Sequence, residues 1–292
     1  MKRPTARRLT AALQLIAWRA RFLAGEITSP PLAARAAARL WFTPPPGRPA
    51  IPAPPGGTDF AIPSGTSSAV RGTAWGDGPA IYFMHGWGGS GLQIRSLIDP
   101  LVGCGFRVVS FDAPGHGSSP RRRTHAGEFA TALTSVTARY GRAHGIVAHS
   151  LGAVAVARAA VADGLRVDRL VLLAPLVDAG PMLDRFADLL RLGPRTRAQL
   201  PAETVGQTGL RIDQFTSRDL RRLVDGGSSL IVHDRQDSFT PFADAVALSR
   251  SWPGSTLVPT EGLGHQRLLH DPTVTATVVR FLTQPPPSLA EQ

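Results

Sequence analysis

Cysteine is almost missing from this chain: Cys104 is the only one in 292 residues, which rules out an intrachain disulfide and a thiolate-held metal cluster. Set between Gly103 and Gly105, it reads as a small buried apolar residue. Lysine is equally scarce, since all but one of the 32 basic residues are arginine. No uncharged apolar run reaches the roughly 18 residues that a membrane-spanning helix needs. The histidines lack any ligand spacing such as H-E-x-x-H, so no metal site is expected.

What is abundant is positive charge, a formal net of +11, and its placement matters more than its size. Residues 1–48 carry nine basic side chains (Lys2, Arg3, Arg7, Arg8, Arg19, Arg21, Arg35, Arg39, Arg48) against the single acid Glu26. The remainder is nearly neutral, and no nucleic-acid-reading motif accompanies the basic segment, so a nucleic-acid partner is not expected. Within the segment, Leu9, Leu13, Ile16, Ala20 and Leu23 recur at helical spacing, with Leu15, Trp18 and Phe22 on another side. A second helix is predicted from Pro31 to Trp41, its proline in the first turn. Three readings stand for this arm: both helices dock on the rest of the protein, the arm lies on an anionic membrane, or it is removed as a signal segment. Localisation follows as cytoplasmic, with membrane association under the second reading.

The chain divides into a basic helical arm (1–42), a stiff proline-rich linker (43–58), one large domain (59–284) and a disordered tail (285–292). At 43% hydrophobic content, a domain of this size buries roughly three quarters of its unfolded surface.

Within that domain, Ile146-Val147-Ala148-His149-Ser150-Leu151-Gly152 carries the most information. A β-branched run stops at a serine with a small residue two positions to either side, the pattern of a sharp strand-to-helix turn that lifts the serine hydroxyl above a sheet. Upstream, the strand Ala80–Met84 ends in His85-Gly86-Trp87-Gly88-Gly89, a loop that lets a backbone amide approach a substrate. The N–H groups of Trp87 and Leu151 are assigned as the oxyanion donors of an acyl transfer. Downstream, the strand Ser229–His233 is followed by two competing acids, Asp234 and Asp237, and a glycine-rich loop after strand Ser255–Val258 delivers His265. Serine, aspartate and histidine in that order suit a nucleophile, an orienting acid and a general base. His116, in Asp112-Ala113-Pro114-Gly115-His116-Gly117, reads as part of a tight turn. Arg121-Arg122-Arg123 reads as a solvated loop.

On HGWGG (85–89), FDAPGHGSS (111–119), AHSLG (148–152), HDRQDSFTP (233–241) and GLGHQRLL (262–269), the chain resembles the α/β-hydrolase fold superfamily of serine hydrolases. The resemblance implies an α/β fold, a mostly parallel central sheet flanked by helices, with residues 176–227 forming a short helical lid. It selects Asp237 over Asp234 through the spacing H-x-x-x-D-x-x-x-P, with Asp178 as the fallback after the preceding strand. It implies a small-molecule acyl substrate, no cofactor, and Ser150, His265 and Asp237 as catalytic residues. A carboxylesterase is the first expectation, with thioesterase or lysophospholipase beside it. From a different class, the rival is a non-catalytic member that binds an apolar ligand or a membrane.

Overall fold

The computed structural model describes residues 6–46, 51–65, 68–120, 123–214, 216–224 and 228–284. The side chains of Arg7 and Leu9, residues Arg121 and Arg122, and the tail 285–292 lie outside the described residues. In chain order the elements are α1 (Ala6–Thr28), α2 (Pro30–Trp41), β1 (Thr58–Ser64), β2 (Ser68–Trp75), β3 (Ala80–Met84), α3 (Arg95–Gly103), β4 (Arg107–Asp112), α4 (Ala126–Tyr140) and β5 (Ala143–His149). They continue with α5 (Leu151–Asp163), β6 (Val167–Leu173), α6 (Gly180–Leu190), α7 (Pro194–Thr208), β7 (Ser229–Asp234), α8 (Phe242–Arg250), β8 (Ser255–Thr260), α9 (Gly264–Arg267) and α10 (Pro272–Thr283).

The contacts separate two compact units, Met1–Thr43 with Asp178–Phe215, and Pro44–Val177 with Thr216–Gln292. The larger unit holds one eight-stranded sheet in the order β1-β2-β4-β3-β5-β6-β7-β8. β1 and β2 pair antiparallel with each other, and β2 antiparallel with β4, while every pairing from β4 to β8 is parallel. Its central strands are apolar without alternation because both faces are covered. Every residue of β3 is buried: Tyr82 and Met84 pack with Phe129 of α4 and Val156 of α5, and Ile81 and Phe83 with Ile98 of α3 and Val278 of α10 on the opposite face. The hairpin β1–β2 was not anticipated. β1 is an edge strand with most of its residues at least partly exposed, so it lacks the apolar run that marks its neighbours.

The smaller unit joins two segments that the sequence keeps apart as arm and insertion. Phe22 of α1 and Ala33, Ala37 and Ala38 of α2 are buried against Leu183, Ala187 and Leu190 of α6 and Leu200 of α7. Trp18 stacks on Phe22, their ring centroids 5.7 Å apart, and Trp41 meets Phe186 edge-on at 5.2 Å. The face that packs is therefore the one carrying Leu15, Trp18 and Phe22, whereas Leu13, Ile16 and Leu23 stay exposed. That side brings the two aromatic rings of the helix into the cluster, where one buried Phe contributes about 1.5–3 kcal/mol relative to an exposed one. α7 was also unforeseen, because Pro201 interrupts it and its apolar residues follow no stripe. It is fixed at its start by Glu26, the lone acid of the arm, whose carboxylate accepts from the N–H groups of Arg195 and Thr196, each at 2.9 Å. Near the end of the stretch expected to form the helical lid, the chain makes only a short 3₁₀ turn at Arg218–Arg222.

One residue corrects the reading from sequence outright. Cys104 is exposed rather than buried. It caps α3, its N–H bonding back to the Pro100 and Leu101 carbonyls in the turn that leads to β4, so its side chain lies beyond the last buried turn of the helix.

Candidate active site

Strand register brings the motifs together. Met84 of β3 pairs with Ala148 of β5, His149 of β5 with Leu173 of β6, and Leu173 of β6 with Val232 of β7, so the loops that follow leave one edge of the sheet side by side. The chain runs from β3 outward to β4, then returns across β3 to β5. The crevice beyond the carboxyl ends of β3 and β5 is thus a point where strand order reverses, the usual ligand position in open α/β sheets.

Ser150 occupies that crevice in a strained turn, with φ 52° and ψ −119°. Such a conformation costs a non-glycine residue on the order of 1–3 kcal/mol and persists only when the surroundings over-determine it. Here the Ser150 N–H donates to the Leu173 carbonyl, and the Ser150 carbonyl accepts from the amides of Leu176 and Ala153. Gly152 is the small residue that makes the turn possible: a Cβ there would lie 2.2 Å from the Met84 carbonyl oxygen. Gly86 plays the matching part across the crevice, since its Cβ would come within 2.9 Å of Ser150 Cβ.

The three polar side chains assigned from sequence converge. Ser150 Oγ lies 3.0 Å from His265 Nε2, and His265 Nδ1 lies 2.8 Å from Asp237 Oδ2. The side chain of Asp237 is fully buried, and its Oδ1 accepts from the amides of Phe239 and Thr240 while the Thr240 hydroxyl donates to Oδ2. Burial disfavours its charge, yet hydrogen bonds from His233, His265 and the Phe239 amide outweigh burial and hold the carboxyl well below the usual carboxylate range. An ionised Asp237 can only accept, so Nδ1–H of His265 donates to it and Nε2 faces the Ser150 hydroxyl. The competing acids are spent elsewhere. Asp234 accepts from Thr260 Oγ1 and from the Leu263 and Gln236 amides, which shapes the loop ahead of His265. Asp178 accepts from the Gly180 amide at the start of α6.

Neither the Trp87 nor the Leu151 N–H meets an acceptor among the described residues. Leu151 opens α5, so its amide sits at the positive end of a helix dipole. The loop that carries Trp87 is held by two neutral histidines. His85 Nε2 accepts from the Ala113 amide, and His116 Nε2 accepts from the Gly88 amide at 2.9 Å. Burial pushes His116 down to about 3, and it lowers His85 as well. His116 thus ties its own tight turn to the glycine loop, a partnership that its turn motif alone could not disclose.

His149, the residue before the serine, was passed over in the sequence. It is buried, its Nε2 donates to the His265 backbone carbonyl at 3.0 Å, and the two rings lie 4.8 Å apart. Burial, helped by the neighbouring His265, pushes it down to about 3, so it holds the histidine loop as a neutral ring. Phe239, also unforeseen, is 52% exposed, with its ring centroid 4.8 Å from that of His265.

The family model for the alpha/beta hydrolase fold matches residues 79–208. Among solved structures, the chain is similar to an esterase from Pyrococcus furiosus (TM-score 0.63, 16% identity, covering 82% of this chain and 97% of that one). It is also similar to a bromoperoxidase from Bacillus anthracis (TM-score 0.60, 18% identity, covering 78% and 100%) and to the thioesterase domain from the curacin biosynthetic pathway (TM-score 0.57, 16% identity, covering 78% and 99%). No curated protein matches it in sequence. The match and these likenesses show that the chain has the α/β-hydrolase fold.

Proposed function

We propose that this protein is a serine hydrolase that cleaves an acyl ester through an acyl-enzyme intermediate, with Ser150 as nucleophile. The observation that carries the reading is the continuous hydrogen-bonded path from Ser150 Oγ through His265 to the buried Asp237. In this reading Ser150 Oγ attacks the acyl carbonyl while His265 Nε2 takes its proton, and Asp237 stabilises the imidazolium that forms. His265 then gives the proton to the alcohol as its bond to the acyl carbon breaks; water, deprotonated by the same Nε2, attacks that carbon, the bond to Ser150 Oγ breaks, and His265 returns the proton to Oγ as the acid leaves. The amides of Trp87 and Leu151 supply the oxyanion donors, each worth about 2.7–4 kcal/mol of transition-state stabilisation. The exposed Phe239 ring beside His265 offers an apolar surface and favours an apolar group on the ester.

A carboxylesterase is the first reading, since the esterase from Pyrococcus furiosus is among the structural neighbours. The curacin thioesterase domain keeps a thioester as the second. Labelling with a fluorophosphonate tests the nucleophile: the wild type is expected to label and Ser150→Ala to stay unlabelled. Equal labelling of both would remove Ser150 from the chemistry, and no labelling of either would favour a ligand-binding protein on a hydrolase fold. A panel of p-nitrophenyl esters of graded acyl length, run beside acyl-CoA substrates, separates ester from thioester.

A further inference from the structure

Helix α1 presents an apolar stripe that its own fold leaves uncovered. Leu13, Ile16, Leu23 and Ile27 are 66%, 61%, 65% and 75% exposed, and Ala20 between them is exposed too. Their spacing of three, four, three and four residues confines them to an arc of about 80° on a helix. The opposite side is already occupied, with Phe22 buried and Leu15 and Trp18 packed against the same cluster. Among the described residues no helix is long and apolar enough to cross a membrane, so this stripe is a surface feature.

We propose that α1 rests on an anionic lipid surface, with this stripe inserted among the acyl chains. Two observations choose that occupant. The stripe is narrow and continuous, as for a helix lying in the plane of an interface rather than spanning it. It also sits in the most basic part of the chain, where residues 1–48 carry nine basic side chains against one acid, and that acid is engaged with the start of α7. An anionic leaflet attracts such a segment, by about 1 kcal/mol for each basic residue near the surface. A second copy of the chain would instead bring two like-charged segments together. The proposal stands independently of the chemistry at Ser150.

The test is co-sedimentation of the full chain with vesicles of phosphatidylcholine, with and without phosphatidylglycerol. The wild type is expected to pellet with the anionic vesicles, to stay in the supernatant with phosphatidylcholine alone, and to be released by high salt. Replacing the stripe (Leu13→Ser, Ile16→Ser, Leu23→Ser and Ile27→Ser together) is expected to lower the partition coefficient at least about tenfold, because the buried apolar area is lost. These side chains face solvent, so the melting temperature is expected to hold. Leu23→Asp alone is the second variant and is expected to weaken binding in the same direction. Wild-type protein left in the supernatant, or unchanged binding by both variants, overturns the proposal. So does a dimer in light scattering that the fourfold variant dissolves, since the stripe would then belong to a second copy.

Discussion

At the scale of single residues, the site depends on what is small as much as on what is reactive. Gly152→Ala would drive a methyl into the Met84 carbonyl, 2.2 Å away, and is expected to destabilise the protein by more than about 2 kcal/mol in a denaturant melt. Asp237→Asn is expected to lower kcat by about 10⁴-fold if the acid sets the His265 tautomer, whereas Asp178→Asn is expected to keep full activity. Loss of activity in Asp178→Asn alone would reverse the assignment of the acid. The sharp turn and the close backbone approach were legible beforehand because each constrains residue type locally, whereas Asp237 was preferred to Asp234 only through the family resemblance. His149 was not legible, since the position before a nucleophile tolerates many side chains and only tertiary contact reveals its bond to the His265 carbonyl. Cys104 failed for a related reason: its small and apolar neighbours suggested burial, while its place at the C-terminal cap of α3 leaves it exposed. A thiol reagent is therefore expected to titrate one cysteine in the native protein without denaturant.

At the scale of elements, the parallel core strands announced themselves through unbroken apolar runs, and α2 through its proline and alanines. What stayed hidden depends on partners remote in sequence. α7, with a proline inside and no amphipathic stripe, owes its place to Leu200 in the shared cluster and to the Glu26 carboxylate at its first turn. Periodicity in α1 was visible on two sides, but nothing local says which one a tertiary partner will take. Truncation distinguishes them: Phe22→Ala is expected to cost about 3–5 kcal/mol in a denaturant melt, against less than about 0.5 kcal/mol for Leu13→Ala. Equal effects would mean that both sides are engaged.

At the scale of the whole molecule, buried neutral histidines make folding sensitive to acid. His116 and His149 are held at about 3 and His85 is lowered, against an ordinary value near 6.5. Between those limits the unfolded chain binds more protons than the folded one, so stability rises with pH through this window and is lost as pH falls from about 6.5 toward 3. Asp237, shifted in the same direction, adds its loss below the ordinary carboxylate range near 3.8. The melting temperature is therefore expected to be highest above neutrality and to decline steadily on acidification. A profile that is flat from pH 7 to pH 4 would contradict this.

The bond between Glu26 and the amide of Thr196 spans 170 residues of chain. A ribosome adding about 5–20 residues per second needs roughly 10–30 s to cover that distance. For most of that interval α1 exists without α6 and α7, the helices that will cover Trp18 and Phe22. The rings of Trp18 and Phe22 therefore reach their full cover only once the distant helices have been translated.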